Sequence, residues 1–154
     1  MEIDVDVTRD PNPLSILRGV RFFRDLSERQ LGDIARISRL ETCEEGGQIY
    51  NIGDPARHFH VLAGGQVRIV IGLGHRNAST ADVLRAGDVF GWAALMPGAD
   101  RRIAAAHCLT RCQLVSIDGA QLLALMERDH TLGYRLMVQL NVLITGTVTA
   151  FVAG

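Results

Sequence analysis

The sequence predicts an α+β domain: an antiparallel roll or barrel with one helix before it and two after it. Three observations predict this. A capping-box pattern at Ser27-Glu28-Arg29-Gln30 opens a run in which Leu31, Ile34, Ala35 and Ile37 share a helical face. From Leu40 to Asp118, short apolar or alternating runs are separated by glycine-bearing turns. From Gly119 the helical period returns and continues to the end.

Taken in order, the acidic leader Met1–Asp10 lacks the apolar core of a signal peptide. Closed by Pro11-Asn12-Pro13, it reads as a loose arm over residues 1–13, with a single domain over 14–154. The first helix is expected over Leu26–Ser38. Strand-like runs follow at Gln48–Asn51, Phe59–Ala63, Val67–Ile71, Asp82–Leu84, Ile103–Cys108 and Gln113–Ile117. Gly46-Gly47, Gly53-Asp54, Gly64-Gly65 and Gly87-Asp88 punctuate them, and polar Leu73–Thr80 is expected as a hairpin tip. The roll thus occupies about 40–118. Ala120–Arg128, with Leu122, Leu123, Leu125 and Met126, is a helix, and another runs from near His130, so the C-terminal helices span about 119–152.

The length of 154 residues suits one compact domain, and 47% apolar residues can build its core without staples. A net charge of −1 supplies no electrostatic footprint for nucleic acid or an anionic membrane. All sixteen basic residues are arginine. Three cysteines, Cys43, Cys108 and Cys112, form no disulfide framework, and a cytoplasmic location is expected. His107, Cys108 and Cys112 lack a fourth metal partner and sit in apolar sequence, so they read as buried, inert thiols and their neighbour.

The chemistry concentrates in Arg85-Ala86-Gly87-Asp88-Val89-Phe90-Gly91-Trp92-Ala93-Ala94-Leu95 and, after a short loop, Arg102-Ile103-Ala104. Gly91 permits a close backbone approach, and a helical turn opening at Trp92 directs N–H groups at an anion. Arg102 can close over that anion as a bidentate partner. The same residues also fit a structural turn with a solvent-facing arginine.

Phe90-Gly91-x-x-Ala94-Leu95 followed by Arg102-x-Ala104 resembles the phosphate-binding cassette of cyclic-nucleotide-binding domains. Phe22-Phe23-x-x-Leu26-Ser27 is similar to that family's opening helix. Gly46, Gly53-Asp54-Pro55, Val61, Gly65-x-Val67 and Gly87-Asp88 fall where its turns recur. The resemblance spans roughly Leu17 to Leu140. It implies a jelly-roll-like double-stranded β-helix and a regulatory domain of the catabolite-activator type, with no enzymatic activity. Backbone contacts from Gly91, Ala93 and Ala94, a cyclic phosphate on Arg102, and pocket wall from Phe90, Leu95, Ile103 and Ala104 are implied with it. Cyclic AMP or cyclic GMP would be the ligand; no cofactor is expected.

One departure matters. The family carries a Glu after Phe-Gly to accept the ribose 2′-hydroxyl, and this sequence has Trp92. Indole offers a donor and no acceptor. A lost hydrogen bond to a charged group is worth roughly 1.5–3 kcal/mol, on the order of ten- to a hundredfold in affinity. Trp92 therefore reads either as a plug or wall of the pocket or as a stacking platform. Ile103, where many members have Ser or Thr, is a milder departure.

Gly53-x4-His58-x-His60 resembles half of a cupin metal motif, but Val61–Gly65 contains no carboxylate and no third histidine falls in place. No Ser-His-Asp, Cys-His or paired-carboxylate set is readable, so no catalytic residue is assigned. After Arg135 the chain carries no charge, and Gly133, Met137, Leu140, Ile144, Thr147 and Phe151 recur at spacings of four and three. Such a helix needs a cover: a second subunit, the domain's own roll beneath it as a lid, or lipid. Gln139, Asn141 and three threonines argue against lipid. The chain stops at Gly154, leaving no room for a helix-turn-helix, so direct nucleic-acid binding is not expected. The expectation is a homodimeric sensor of a small anionic effector, or else a ligand-free dimerisation module plugged by Trp92.

Overall fold

The computed structural model describes residues 12–72 and 81–153, with backbone alone for Ala81 and residues 147–153. The acidic leader through Pro11 and the expected hairpin tip Leu73–Thr80 lie outside the described residues. Among the described residues the fold is α+β, with two four-stranded antiparallel sheets and helices at both ends of the chain.

Helix α1 (Pro13–Arg18) was not legible as a helix in the sequence. Asn12 caps it, its side chain accepting from the Ser15 amide at 3.0 Å, and proline at the first position has no amide to satisfy. A 3-10 turn (Arg21–Phe23) buries Phe22 and Phe23 and leads to α2 (Glu28–Arg36). The reciprocal Ser27–Gln30 capping box starts α2 as the sequence suggests. It ends two residues before the expected Ser38, because Ile37 leaves helical geometry and Ser38 opens a strand.

The strands are β1 (Ser38–Cys43), β2 (Gln48–Tyr50), β3 (His58–Gly64), β4 (Val67–Ile71), β5 (Ala81–Leu84), β6 (Val89–Phe90), β7 (Ala104–Cys108) and β8 (Cys112–Asp118). One sheet runs β1-β8-β3-β6 and the other β2-β7-β4-β5. Strand β1 is an addition to the sequence reading. Its Arg39 and Glu41 give no apolar run, and its identity comes from the ladder with β8, from Ser38↔Ile117 to Cys43↔Cys112.

Strand periodicity divides the first sheet into two faces. Phe59, Val61, Val115 and Ile117 pack against the helices in the main core, with Leu17, Phe23, Ile34, Leu122, Leu132 and Leu136. Leu62 and Leu114 point the other way, into a smaller core inside the roll with Tyr50, Val67, Phe90 and Ala106.

After β8, Asp118 caps α3 (Gly119–Arg128) by accepting from the Gln121 amide, and α4 (His130–Ala153) turns back across the main core. At Gly133 a Cβ would come within 3.1 Å of the Met126 carbonyl oxygen, so glycine lets α3 and α4 approach closely. Leu132, Leu136 and Leu140 are buried on the domain, with Leu143 and Ile144 packed beside them. The opposite face presents Tyr134, Val138 and Val142, which are 73%, 40% and 63% exposed. The stripe expected from the sequence is therefore split: Leu140 and Ile144 face the domain, whereas Met137 is exposed. The side chain of Phe151 lies outside the described residues. Among the described residues, no helix is long and apolar enough to cross a membrane.

Candidate anion-binding site

Strand β6 ends at Phe90, and the chain turns at Gly91 into a 3-10 turn, Trp92–Leu95. Gly91 has φ 80°, the left-handed region that glycine enters without strain. Space also demands glycine: a Cβ would lie 3.1 Å from each of Arg102 Nη1, the His58 carbonyl oxygen and the His60 ring. Below the turn, Gly119 opens α3 so close that a Cβ there would meet the Ala94 carbonyl oxygen at 2.7 Å. The cassette thus rests directly on the start of the C-terminal helices.

Arg102 is turned inward and only 4% exposed. Its Nη1 donates to the Gly91 carbonyl at 2.9 Å and its Nη2 to the His58 carbonyl at 2.6 Å. The guanidinium carbon lies 4.0 Å from the Tyr50 ring centroid, a cation–π contact. Burial lowers the affinity of this guanidinium for its proton, and Tyr50 and Asp54 work in the opposite direction. Its Nε is buried and has no hydrogen-bond partner. An unpaired N–H on a buried cation is costly unless something accepts from it.

The side chain stands between two cavities. One, of about 120 Å³, is mostly apolar; Tyr50, Ile69, Ile71, Leu84, Val89 and Phe90 line it from the roll. Gly91, Trp92 and Ala93 line it from the turn, Arg102, Ile103 and Ala104 from the next segment, and Leu143 from α4. Asp82 brings a carboxylate to its wall. The other, of about 330 Å³, is the polar end of the roll interior, lined by Arg39, Glu41, Asp54, Arg57, His58 and His60 among others.

His60 is 6% exposed and stacks between Phe90 and Tyr50, at 5.0 and 5.9 Å between ring centroids. Its Nδ1 lies 2.9 Å from Ser116 Oγ, and Ser116 in turn donates to Glu41. Since the one hydroxyl proton of Ser116 goes to Glu41, His60 Nδ1 must be the donor. Burial, then the Arg102 charge, then His58 push the imidazole down to about 3.

Of the residues singled out from the sequence, Phe90, Gly91, Trp92, Ala93, Arg102, Ile103 and Ala104 line one cavity. Ala94 and Leu95 do not: Leu95 is fully buried in the main core and Ala94 backs onto Gly119. Ile103 is 53% exposed, a rim residue. Trp92 is partly buried and packs against the main core while lining the cavity. Sequence reasoning missed Tyr50, Asp82, Leu143 and Gly119, because each reaches the site through tertiary contacts with no local motif. Among the described residues, no three His, Cys, Asp or Glu converge to hold a metal ion.

The family model for the cyclic nucleotide-binding domain matches residues 40–129. A Rhodopseudomonas palustris protein, provisionally named a potassium channel, is 26% identical over 122 residues, which is 79% of this chain and 29% of that protein. A Geobacter metallireducens structure, provisionally named a cyclic nucleotide-binding protein, is 26% identical, with TM-score 0.76 over 89% of this chain and 98% of that one. The sensor domain of the Pseudomonas aeruginosa transcriptional regulator DNR shares the fold at 20% identity and TM-score 0.71, covering 96% of this chain and 95% of its own.

Proposed function

The chain belongs to the cyclic nucleotide-binding domain family, and from that premise we propose that it is a ligand-sensing regulatory domain that takes a small anionic effector, a cyclic nucleotide or a similar phosphate. The observation that carries this reading is the buried, unpartnered Nε of Arg102 beside the Gly91 turn. Of the five N–H donors of a guanidinium, two are held by the carbonyls of Gly91 and His58. An oxyanion seated beside Arg102 would accept from the remaining donors, and Asp82, on the wall of the same cavity, would offer the carboxylate that position 92 lacks. Signalling runs through α4, which contributes Leu143 to the same cavity. On the same reading the domain acts without catalysis, in the cytoplasm, as a homodimer through the outer face of α4.

Isothermal titration against cyclic AMP, cyclic GMP and cyclic dinucleotides tests the site. Arg102→Ala is expected to weaken binding on the order of ten- to a hundredfold, the loss of a charge-assisted hydrogen bond of roughly 1.5–3 kcal/mol. Binding that is unchanged in Arg102→Ala would place the ligand elsewhere.

The packing of Trp92 favours a second reading, in which the cavity is closed and the domain is a constitutive dimerisation module. Trp92→Glu restores the family's acceptor and removes the indole. Under this reading the variant gains cyclic-nucleotide binding that the native protein lacks. Under the first reading the native protein already binds an anion.

A further inference from the structure

Cys43 meets Cys108 and Cys112, which lie more than sixty residues further along the chain, at one end of the roll interior. Each is the terminal residue of its strand: Cys43 closes β1, Cys108 closes β7 and Cys112 opens β8. All three belong to the smaller core, and Cys43 and Cys112 are directly opposed across the β1–β8 ladder. Cys108 and Cys112 are buried, whereas Cys43 is partly exposed. Two glycines let the backbone pack closely against the sulfurs. A Cβ at Gly47 would lie 2.7 Å from Cys43 Sγ, and one at Gly65 2.8 Å from Cys112 Sγ.

We propose that this cluster is an oxidation site in which Cys43 and Cys112 close an intramolecular disulfide under a hydroperoxide. Directly opposed residues of antiparallel strands hold their Cβ atoms about 4.5–5.5 Å apart, and a disulfide requires about 3.5–4.5 Å. The remaining movement falls at two strand ends, where the chain leaves the ladder and can follow. Cys43 reacts first because it is the thiol that solvent reaches. Cys43 gives up its proton, its sulfur attacks one peroxide oxygen and the O–O bond breaks; Cys43 sulfenic acid forms as the other oxygen takes that proton and leaves as alcohol or water. The sulfur of Cys112 then attacks the Cys43 sulfur, the S–O bond breaks, and the hydroxyl leaves as water with the Cys112 proton. Two thiols lose two electrons to one hydroperoxide.

Cys108 stays outside the bond. Burial and the neighbouring Cys112 and Cys43 thiols push its titration upward and keep it protonated, which makes it the weaker nucleophile. The bond would tie together the two ends of the segment that carries the second sheet, Gly91 and Arg102.

The test uses the reduced 154-residue chain. It is treated with a few equivalents of hydrogen peroxide, its free thiols are counted in denaturant, and its peptides are mapped without reductant. Free thiols are expected to fall from three to one, with a Cys43–Cys112 linked peptide that dithiothreitol releases. In Cys43→Ser both remaining thiols stay free, and in Cys108→Ser the link still forms. Three surviving thiols, a Cys43 sulfinic acid with no link, a link through Cys108, or a link between two chains would each overturn the proposal. The mapping of the unaltered protein decides the matter even where a serine variant fails to fold.

Discussion

Lowering the pH from 6.5 toward 3 should weaken the folded domain by up to about 1.4 kcal/mol per pH unit, through His60 alone. The imidazole titrates at about 3 in the folded protein and near 6.5 when unfolded. Between those values the unfolded chain binds the extra proton, so the unfolding free energy rises with pH. The contribution is fully present above the unfolded value and is lost as pH falls through the window. Desolvation is the main cause: His60 is packed between Phe90 and Tyr50 with Arg102 close by, and protonation would bury a second cation. Urea denaturation between pH 6.5 and 4.5 measures the slope above the range of most carboxylates. His60→Phe keeps the aromatic stack, and Ser116 keeps its acceptor in Glu41, so the variant should lose most of the slope. A variant as pH-sensitive as the native domain would show that other groups carry the effect.

Leu140→Ala should destabilise the domain by about 2–5 kcal/mol, the cost of emptying a buried leucine position. Leu140 is 3% exposed and belongs to the main core, so the loss is felt by a single chain. Two positions on, Val142 is 63% exposed on the other face of the same helix. Val142→Arg should leave the stability of one chain within about 0.5 kcal/mol, as exposed sites do. Under the proposed homodimer its effect appears instead in sedimentation, where a dimer held by that outer face would separate into monomers. The pair of variants divides the helix into a face that holds the domain and a face available to another copy. A neutral Leu140→Ala with a strongly destabilised Val142→Arg would reverse that assignment.

Much of this was legible in the sequence, for physical reasons that differ by element. The α2 start was carried by side chains that bond locally, Ser27 and Gln30. The strand β4 was carried by an apolar run with turns on both sides, and it begins and ends at the expected residues. Strand β1 was hidden because Arg39 and Glu41 flank Leu40 and break any apolar run; they pair with each other and line the polar cavity with His58 and His60. Gly91 and Arg102 could be found because they lie close in sequence. Their partners could not: the carbonyl that receives Arg102 Nη2 belongs to His58, 44 residues away. The split of α4 was beyond reach for a related reason. Apolar residues surround that helix, so its periodicity alone does not say which ones the core takes.

Leu143 gives the cavity and the helix a common thermodynamic account. Any effector that needs the volume now held by that side chain can enter only as the helix moves, so the measured affinity is the intrinsic affinity scaled by the fraction of molecules already open. The relation is reciprocal. Whatever grips the outer face of α4 and holds it down must weaken effector binding by the same factor that the effector loosens the grip. A side chain of α4 that shares a cavity with Gly91, whose carbonyl holds Arg102, would thereby link the two occupancies.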